Sequence, residues 1–129
     1  MMPILGVHVL FYSHDSDADR AFFLDVLGLK SVDVGGGWLI FGLPKSEAAV
    51  HPVEEGGGSQ AGGHVMLGAQ VYLMCEDLDA FMRSLADRGV QCGAVHTERW
   101  GIVTTIQMPS GGTLGLYQPK HPTALHLGQ

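Results

Sequence analysis

Apolar positions along the chain fall into short runs that predict two helices, each preceded by one strand and followed by several more. In the first half, a run of β-forming residues at 4–12 predicts a strand. Capping residues follow it, and apolar residues then recur three and four positions apart, which predicts a helix that ends at Gly28. Glycine and proline separate three further predicted strands, at 29–34, 38–42 and 47–51.

The second half of the chain repeats this order of elements. A predicted strand at 70–75 precedes a helix that Asp77 can cap and Gly89 can close. Asp77 lies 62 positions after Asp15, the matching cap residue of the first half. Three strands are predicted after the second helix, at 90–95, 102–108 and 113–118.

The repeat predicts one α+β domain over residues 1–129 that contains two βαβββ modules. The modules are placed at about 4–53 and 69–118. Between them lies the segment 56–63, GGGSQAGG, whose glycines predict a flexible linker.

Composition narrows the classes of function. The 129 residues are 46% hydrophobic and 16% charged, which is typical of a folded domain. A net charge of −6 argues against a nucleic-acid-binding surface, which needs a basic stripe. No apolar run approaches the roughly 20 residues that span a bilayer, so no membrane partner is predicted. Cys75 and Cys92 are the only cysteines, and two free thiols favour a reducing, cytoplasmic compartment.

Strand alternation predicts which side chains line an open side of the sheet. In the first strand His8, Leu10 and Tyr12 share one face, whereas the opposite face is wholly apolar and suits packing under a helix. The same alternation in the other strands predicts a small-molecule pocket with an aromatic and Met lining. Its predicted residues are Leu10, Tyr12, Tyr72, Met74, Trp100, Thr113, Gly115 and Tyr117.

Four segments together resemble the vicinal oxygen chelate superfamily, which includes glyoxalases, extradiol dioxygenases, and fosfomycin- and bleomycin-resistance proteins. They are GVHVLFYSHDSDADRAFFLDVLGLKSV, EAAVHP, VYLMCEDLDAFMRSLADRGV and MPSGGTLGLYQP, and they span most of the chain from Gly6 to Pro119. The resemblance implies two βαβββ modules that form a cup-shaped mixed β-sheet with helices on its outer face, and a homodimer as the assembly. It does not imply one reaction, because this fold hosts many.

The resemblance also implies four ligand positions for a divalent metal such as Zn, Ni, Mn or Fe. They fall on His8, His51, Gln70 and Gly115. Imidazoles suit such metals, and the Gln70 amide oxygen is a weak ligand. Gly115 stands where the superfamily's glutamate is expected and offers no side chain. With neutral ligands only, at His8, His51 and Gln70, we expect weak metal binding or none.

Two functions remain open from the sequence, beside a dimeric scaffold with a vestigial pocket. The first is a glyoxalase- or bleomycin-resistance-like protein that binds a small molecule, with a degenerate metal site. The alternative is a metal-dependent lyase, isomerase or dioxygenase that uses His8 and His51. No catalytic residue is assigned, since His8 and His51 would serve as metal ligands, and the C-terminal segment HPTALHLGQ has no predicted role.

Overall fold

A computed structural model describes residues 5–52, 59–61 and 64–127 of the chain, and it confirms the predicted α+β class. Two helices, eight strands and one 3-10 turn are present in these residues. In chain order they are α1 (Ser16–Asp25), β1 (Ser31–Asp33), β2 (Leu39–Phe41), β3 (Ser59–Ala61), β4 (His64–Met66), β5 (Tyr72–Met74), α2 (Leu78–Asp87), β6 (His96–Glu98), β7 (Gly101–Gln107), β8 (Thr113–Pro119) and the turn Leu125–Leu127. Neither helix is long and apolar enough to cross a membrane.

The second half forms the complete βαβββ unit that its pattern predicts. Its four strands follow the order β5-β8-β7-β6, with β5 parallel to β8 and the other pairs antiparallel. Helix α2 begins because the Asp77 carboxylate accepts a hydrogen bond from the Ala80 amide at 3.1 Å. It ends at Gly89, whose φ of 77° lets the Val90 amide reach back to the Leu85 carbonyl at 2.9 Å.

The first half shares the helix but not the full sheet. Helix α1 lies 62 positions before α2, and its cap Asp15 accepts from the Ala18 amide as Asp77 does from Ala80. Among the described strands, β1 and β2 pair only with each other, around a turn in which the Asp33 carboxylate accepts from the Gly35 amide at 2.8 Å.

Two predicted strands of the first half are not formed within the described residues. The predicted strand at 4–12 has no regular secondary structure and no strand pairing from residue 5 onward, and residue 4 lies outside the described residues. The predicted strand at 47–51 is likewise unpaired. The β propensity of these segments is not enough, because a strand also needs a neighbour for its backbone N–H and C=O groups.

The predicted linker also differs from its expectation in part. Residues 59–61 form β3, which pairs antiparallel with β4. None of these three residues is glycine, so ordering them in a strand costs less conformational entropy than ordering the glycines on either side. The remaining linker positions lie outside the described residues.

The predicted strand at 90–95 is wrong in its bounds, because the paired strand β6 begins at His96. Cys92 bridges to Ile106 and His96 pairs with Val103, so one extra residue stands on the β6 side between them. This is a β-bulge. Gly93 lies inside it, where an added Cβ would be 2.7 Å from the Thr105 hydroxyl oxygen.

The core lies between the helices and one face of the four-stranded sheet. It consists of Phe22, Phe23, Leu78, Leu85, Ile106, Met108, Leu114 and Leu116. On β8 the buried Leu114 and Leu116 alternate with Gly115 and Tyr117, so the latter pair points away from α2. We call this second face of the sheet the open face.

Candidate functional site

The open face carries most of the predicted pocket residues of the second half. Register places Tyr72 opposite Gly115 and Met74 opposite Tyr117. Across the next ladder, Gly115 pairs with Thr105 and Thr113 pairs with Gln107. The face therefore combines aromatic and Met side chains at the β5 side with hydroxyl and amide groups toward the β7–β8 turn.

Three aromatic rings meet on this face, and we call Tyr72, Trp100 and Tyr117 the aromatic cluster. Their ring centroids are 5.6 to 6.5 Å apart and their planes are nearly perpendicular, the edge-to-face arrangement that such rings favour. Tyr117 is buried, whereas Tyr72 and Trp100 are 38% and 43% exposed. The cluster thus offers two partly exposed aromatic surfaces on a buried base.

The Tyr72 ring lies directly over the Gly115 backbone. An added Cβ at Gly115 would be 2.2 Å from Tyr72 Cδ2 and 2.5 Å from Cε2, far inside contact distance. Gly115 is the position where the superfamily's glutamate is expected. The Tyr72 ring occupies the space into which a side chain at this position would project.

The same tyrosine also engages a second of the four implied ligand positions. The Tyr72 hydroxyl donates to the Gln70 amide oxygen at 3.2 Å. That oxygen is the only atom by which Gln70 would ligate a hard or borderline cation. Tyr72 therefore covers Gly115 with its ring and binds Gln70 with its hydroxyl.

The two histidines of the implied metal site are exposed. His8 lies on the segment 5–12 and His51 at the end of the unpaired segment 47–51. Among the described residues, no group of three His, Cys, Asp or Glu side chains is placed to hold a metal ion. The donor set implied by the resemblance therefore does not fit a divalent ion here, since one position lacks a side chain and another is hydrogen-bonded.

The two predicted pocket residues of the first half lie outside the aromatic cluster. Leu10 and Tyr12 are 65% and 78% exposed. Val9 and Phe11, which alternate with them along the chain, are 37% and 38% exposed. Phe11 packs edge-on against Phe23 of α1, with ring centroids 5.3 Å apart. The segment thus turns one face toward α1, as its alternation predicts, and the face that carries Leu10 and Tyr12 toward solvent.

The two tryptophans, Trp38 and Trp100, lie 62 positions apart as Asp15 and Asp77 do, but they take different roles. Trp100 belongs to the aromatic cluster, whereas the Trp38 ring lies under the Arg20 guanidinium, 4.7 Å from its centroid. Equal spacing in the sequence did not distinguish these environments.

Sequence reasoning missed two residues that bind Tyr117. The Tyr117 hydroxyl lies 3.4 Å from Glu47 Oε2 and 3.2 Å from His121 Nε2. Burial, and next the charge and hydrogen bond of Glu47, raise the pKa of Tyr117 above its ordinary value, so its hydroxyl stays protonated at neutral pH. No local signal marks Glu47 or His121, because each meets Tyr117 only through the fold.

Two cavities lie on the helix side of the sheet rather than on the open face. One, of about 440 Å³, is lined by the end of α2 and by Gln91 and Cys92. The other, of about 500 Å³, lies beside α1 and is lined in part by Phe22, Met108 and Pro109. Neither is lined by a residue of the aromatic cluster, two of whose rings are partly exposed. We therefore place the candidate site on the cluster, where the convergent aromatic and polar groups are.

Neither a protein-family model nor a curated protein matches the chain. Solved structures do match it over nearly their whole lengths. TnmS3, an antibiotic binding protein from Streptomyces sp. CB03234, is 20% identical, with a TM-score of 0.63 over 93% of this chain and 100% of that one. A lactoylglutathione lyase from Agrobacterium tumefaciens is 18% identical, with a TM-score of 0.58 over 91% and 96%.

A third similar structure is a member of the glyoxalase/bleomycin resistance protein/dioxygenase superfamily from Sphaerobacter thermophilus DSM 20745. It is 17% identical, with a TM-score of 0.59 over 91% of this chain and 99% of that one. Identities this low establish a common fold and leave the activity open. The chain has the vicinal oxygen chelate fold, as its sequence motifs imply.

Proposed function

We propose that this protein binds a small molecule with aromatic or planar character on its open face, without using a metal. The observation that carries the proposal is the Tyr72 ring over Gly115, at the position of the superfamily's anionic ligand. The same ring leaves an aromatic surface 38% exposed beside Trp100. Tyr72 thus blocks one implied metal-ligand position and offers an aromatic surface for stacking. This favours binding of a small molecule over metal-assisted chemistry.

The composition of the face supports this ligand class. Exposed aromatic rings bind planar or amphiphilic molecules through burial of apolar surface and edge-to-face contact. Met74 adds a polarisable side chain next to Tyr117. TnmS3, which has this fold, is an antibiotic binding protein. We extend that kind of role to this chain as a binding protein of the cytoplasm.

We also infer a homodimer with two-module chains, divided at about 4–53 and 69–118. The support is the segment 5–12, where Leu5 and Val7 are 105% and 80% exposed and none of the described strands pairs with the backbone. Such a surface favours association, because it exposes both apolar side chains and free hydrogen-bonding groups. A second copy of the chain offers the same edge in return.

The binding face can be tested with one tryptophan at a time, because the chain has only two. The variant Trp38→Phe keeps Trp100 as the sole tryptophan, and the matched variant Trp100→Phe keeps Trp38. Titration with 8-anilinonaphthalene-1-sulfonate and with bleomycin should quench Trp100 saturably and leave Trp38 unchanged. Quenching of Trp38 alone would place binding elsewhere.

Measurement of metal binding separates this proposal from the alternative of a metal-dependent lyase, isomerase or dioxygenase that uses His8 and His51. The purified protein should bind Zn²⁺, Ni²⁺, Mn²⁺ or Fe²⁺ only weakly in calorimetry, and EDTA should leave the Trp100 titration unchanged. Stoichiometric submicromolar binding that is lost in His8→Ala would favour the enzyme instead.

A further inference from the structure

The C-terminal segment, for which the sequence predicts no role, is attached to the aromatic cluster at two points and to Glu47 at a third. We call residues 120–127 the tail segment. The Lys120 amide donates to the Trp100 carbonyl at 2.8 Å. The His121 ring stacks on Tyr117 with an interplanar angle of 28°. The Ala124 amide donates to Glu47 Oε1 at 2.7 Å.

Glu47, which belongs to the first half of the chain, contacts both the tail segment and Tyr117. Its side chain is only 17% exposed, and its two oxygens meet the Ala124 amide and the Tyr117 hydroxyl. The only positively chargeable side chain beside it among the described residues is His121, whose Nε2 lies 3.8 Å from Oε2. A largely buried carboxylate of this kind is stabilised most when its neighbour is charged.

The hydrogen positions in this network follow from its partners. His121 Nδ1 lies 2.8 Å from the Pro122 carbonyl, which can only accept, so Nδ1 carries a hydrogen. In neutral His121, Nε2 is therefore an acceptor. The Tyr117 hydroxyl then has one hydrogen and two acceptors, Nε2 and Glu47 Oε2, and one of the two contacts is left without a hydrogen.

Protonation of His121 completes the network. Nε2–H can then donate to the Tyr117 oxygen, and the Tyr117 hydrogen is free for Glu47 Oε2. Glu47 and Tyr117 are the titratable groups in contact with His121 within the described part of the chain, and the exposed Lys120 precedes it in sequence. The Tyr117 oxygen can accept a hydrogen bond from the protonated ring, and the Glu47 carboxylate carries the opposite charge.

We propose that the tail segment is a clamp on the aromatic cluster that tightens when His121 is protonated, with Glu47 as the positioning residue for the Tyr117 hydroxyl. The clamp is therefore tighter at lower pH, where more of the His121 imidazole is protonated, and weakens as the pH rises. It bears on the proposed function because Tyr117 is the buried base of the binding face. The test of the clamp needs no ligand, so its result is independent of whether the open face binds a small molecule.

The Ala124 amide reports the clamp directly. In the wild-type protein its hydrogen-exchange protection, corrected for the intrinsic rate at each pH, should be about five- to tenfold higher at pH 5.5 than at pH 7.5. His121→Phe keeps a stacked ring without a titrating group and should remove this difference. Tyr117→Phe keeps the aromatic cluster without the hydroxyl and should remove most of it.

A second measurement stands even if a variant fails to fold. Nitrogen-15 NMR of the wild-type imidazole should show the neutral His121 ring with its hydrogen on Nδ1. A neutral ring protonated on Nε2, or wild-type protection of Ala124 that does not change with pH, would overturn the clamp. So would an unchanged pH dependence in folded His121→Phe.

Discussion

At the scale of single residues, Gly115 leaves less room for a side chain than any other described glycine. Its backbone lies under the Tyr72 ring, and the parallel pairing of β5 with β8 fixes the two residues side by side. The glycine that looks like a missing metal ligand in the sequence is the partner of an aromatic ring in the structure.

Substitution of this glycine should therefore destabilise the protein. Gly115→Ala places a Cβ 2.2 Å from Tyr72 Cδ2, and relief of that overlap should cost about 1–3 kcal/mol in the free energy of unfolding measured with urea. Gly112→Ala is the control, since its Cβ would have no atom nearer than 3.7 Å. In a Tyr72→Ala background the cost at Gly115 should largely disappear, and a cost that persists there would refute the overlap.

A second prediction at the scale of residues concerns the reactivity of the two cysteine thiols. Burial, with a smaller effect of Cys92, raises the pKa of the Cys75 thiol to about 11, and burial also raises the pKa of Cys92. A higher pKa means less reactive thiolate at a given pH. At pH 8 iodoacetamide should modify Cys75 about a hundredfold more slowly in the folded protein than in urea. Equal rates in the two states would show that the thiol is not protected.

At the scale of elements, the two helices are joined through a single arginine at the end of α2. The Arg88 guanidinium donates from one nitrogen to the carbonyls of Asp25 and Val26, at 2.8 and 3.0 Å. These carbonyls lie at the end of α1, where the helix has no N–H partner for them and a positive charge is favourable. Arg88 thus caps a helix that lies 62 positions away in sequence.

Loss of this cap should weaken the contact between the halves. Arg88→Gln should lower the free energy of unfolding by about 1 kcal/mol, because two carbonyls lose a charged donor. Arg83→Gln removes an exposed pair with Asp79 on the same helix and should cost less than about 0.5 kcal/mol. Urea denaturation of both variants makes the comparison, and equal losses would mean that Arg88 contributes only as a surface charge.

At the scale of the whole molecule, the apolar surface is uneven. Between residues 5 and 12 every side chain is exposed, and Leu5, Val7 and Tyr12 are more than three-quarters exposed. The four-stranded sheet of the second half buries its helix-facing side fully, with Ile106 and Leu116 at 0% exposure. The first half therefore has the apolar residues of a sheet without a partner for them in the described chain.

The proposed homodimer should depend on this segment. Wild-type protein should sediment as a dimer at micromolar concentration, and Val7→Glu should shift it to the monomer, because a buried carboxylate would oppose association. Leu24→Glu, on the 43%-exposed outer side of α1, is the matched control and should remain dimeric. A wild-type protein that is monomeric at these concentrations would remove the dimer from the proposal.

The sequence by itself determined the features that depend on neighbours along the chain. Asp77 and Gly89 bound α2 as predicted, because capping and positive φ act within one turn. Alternation also placed Tyr72 and Tyr117 on the open face correctly, since the side-chain period of a strand is fixed at two. These local signals give the class of the elements and their order, whereas the fold was expected from the resemblance of four sequence segments to the superfamily.

Tertiary structure decided everything that depends on which strands pair and on what distant residues meet. The segments 4–12 and 47–51 have strand composition, but pairing is a property of two segments and not of one. The contact of Tyr72 with Gly115 needs the register of β5 on β8, and Glu47 reaches Tyr117 across 70 positions. Such contacts leave no periodicity in the sequence, because they are fixed by distance in space rather than by spacing along the chain.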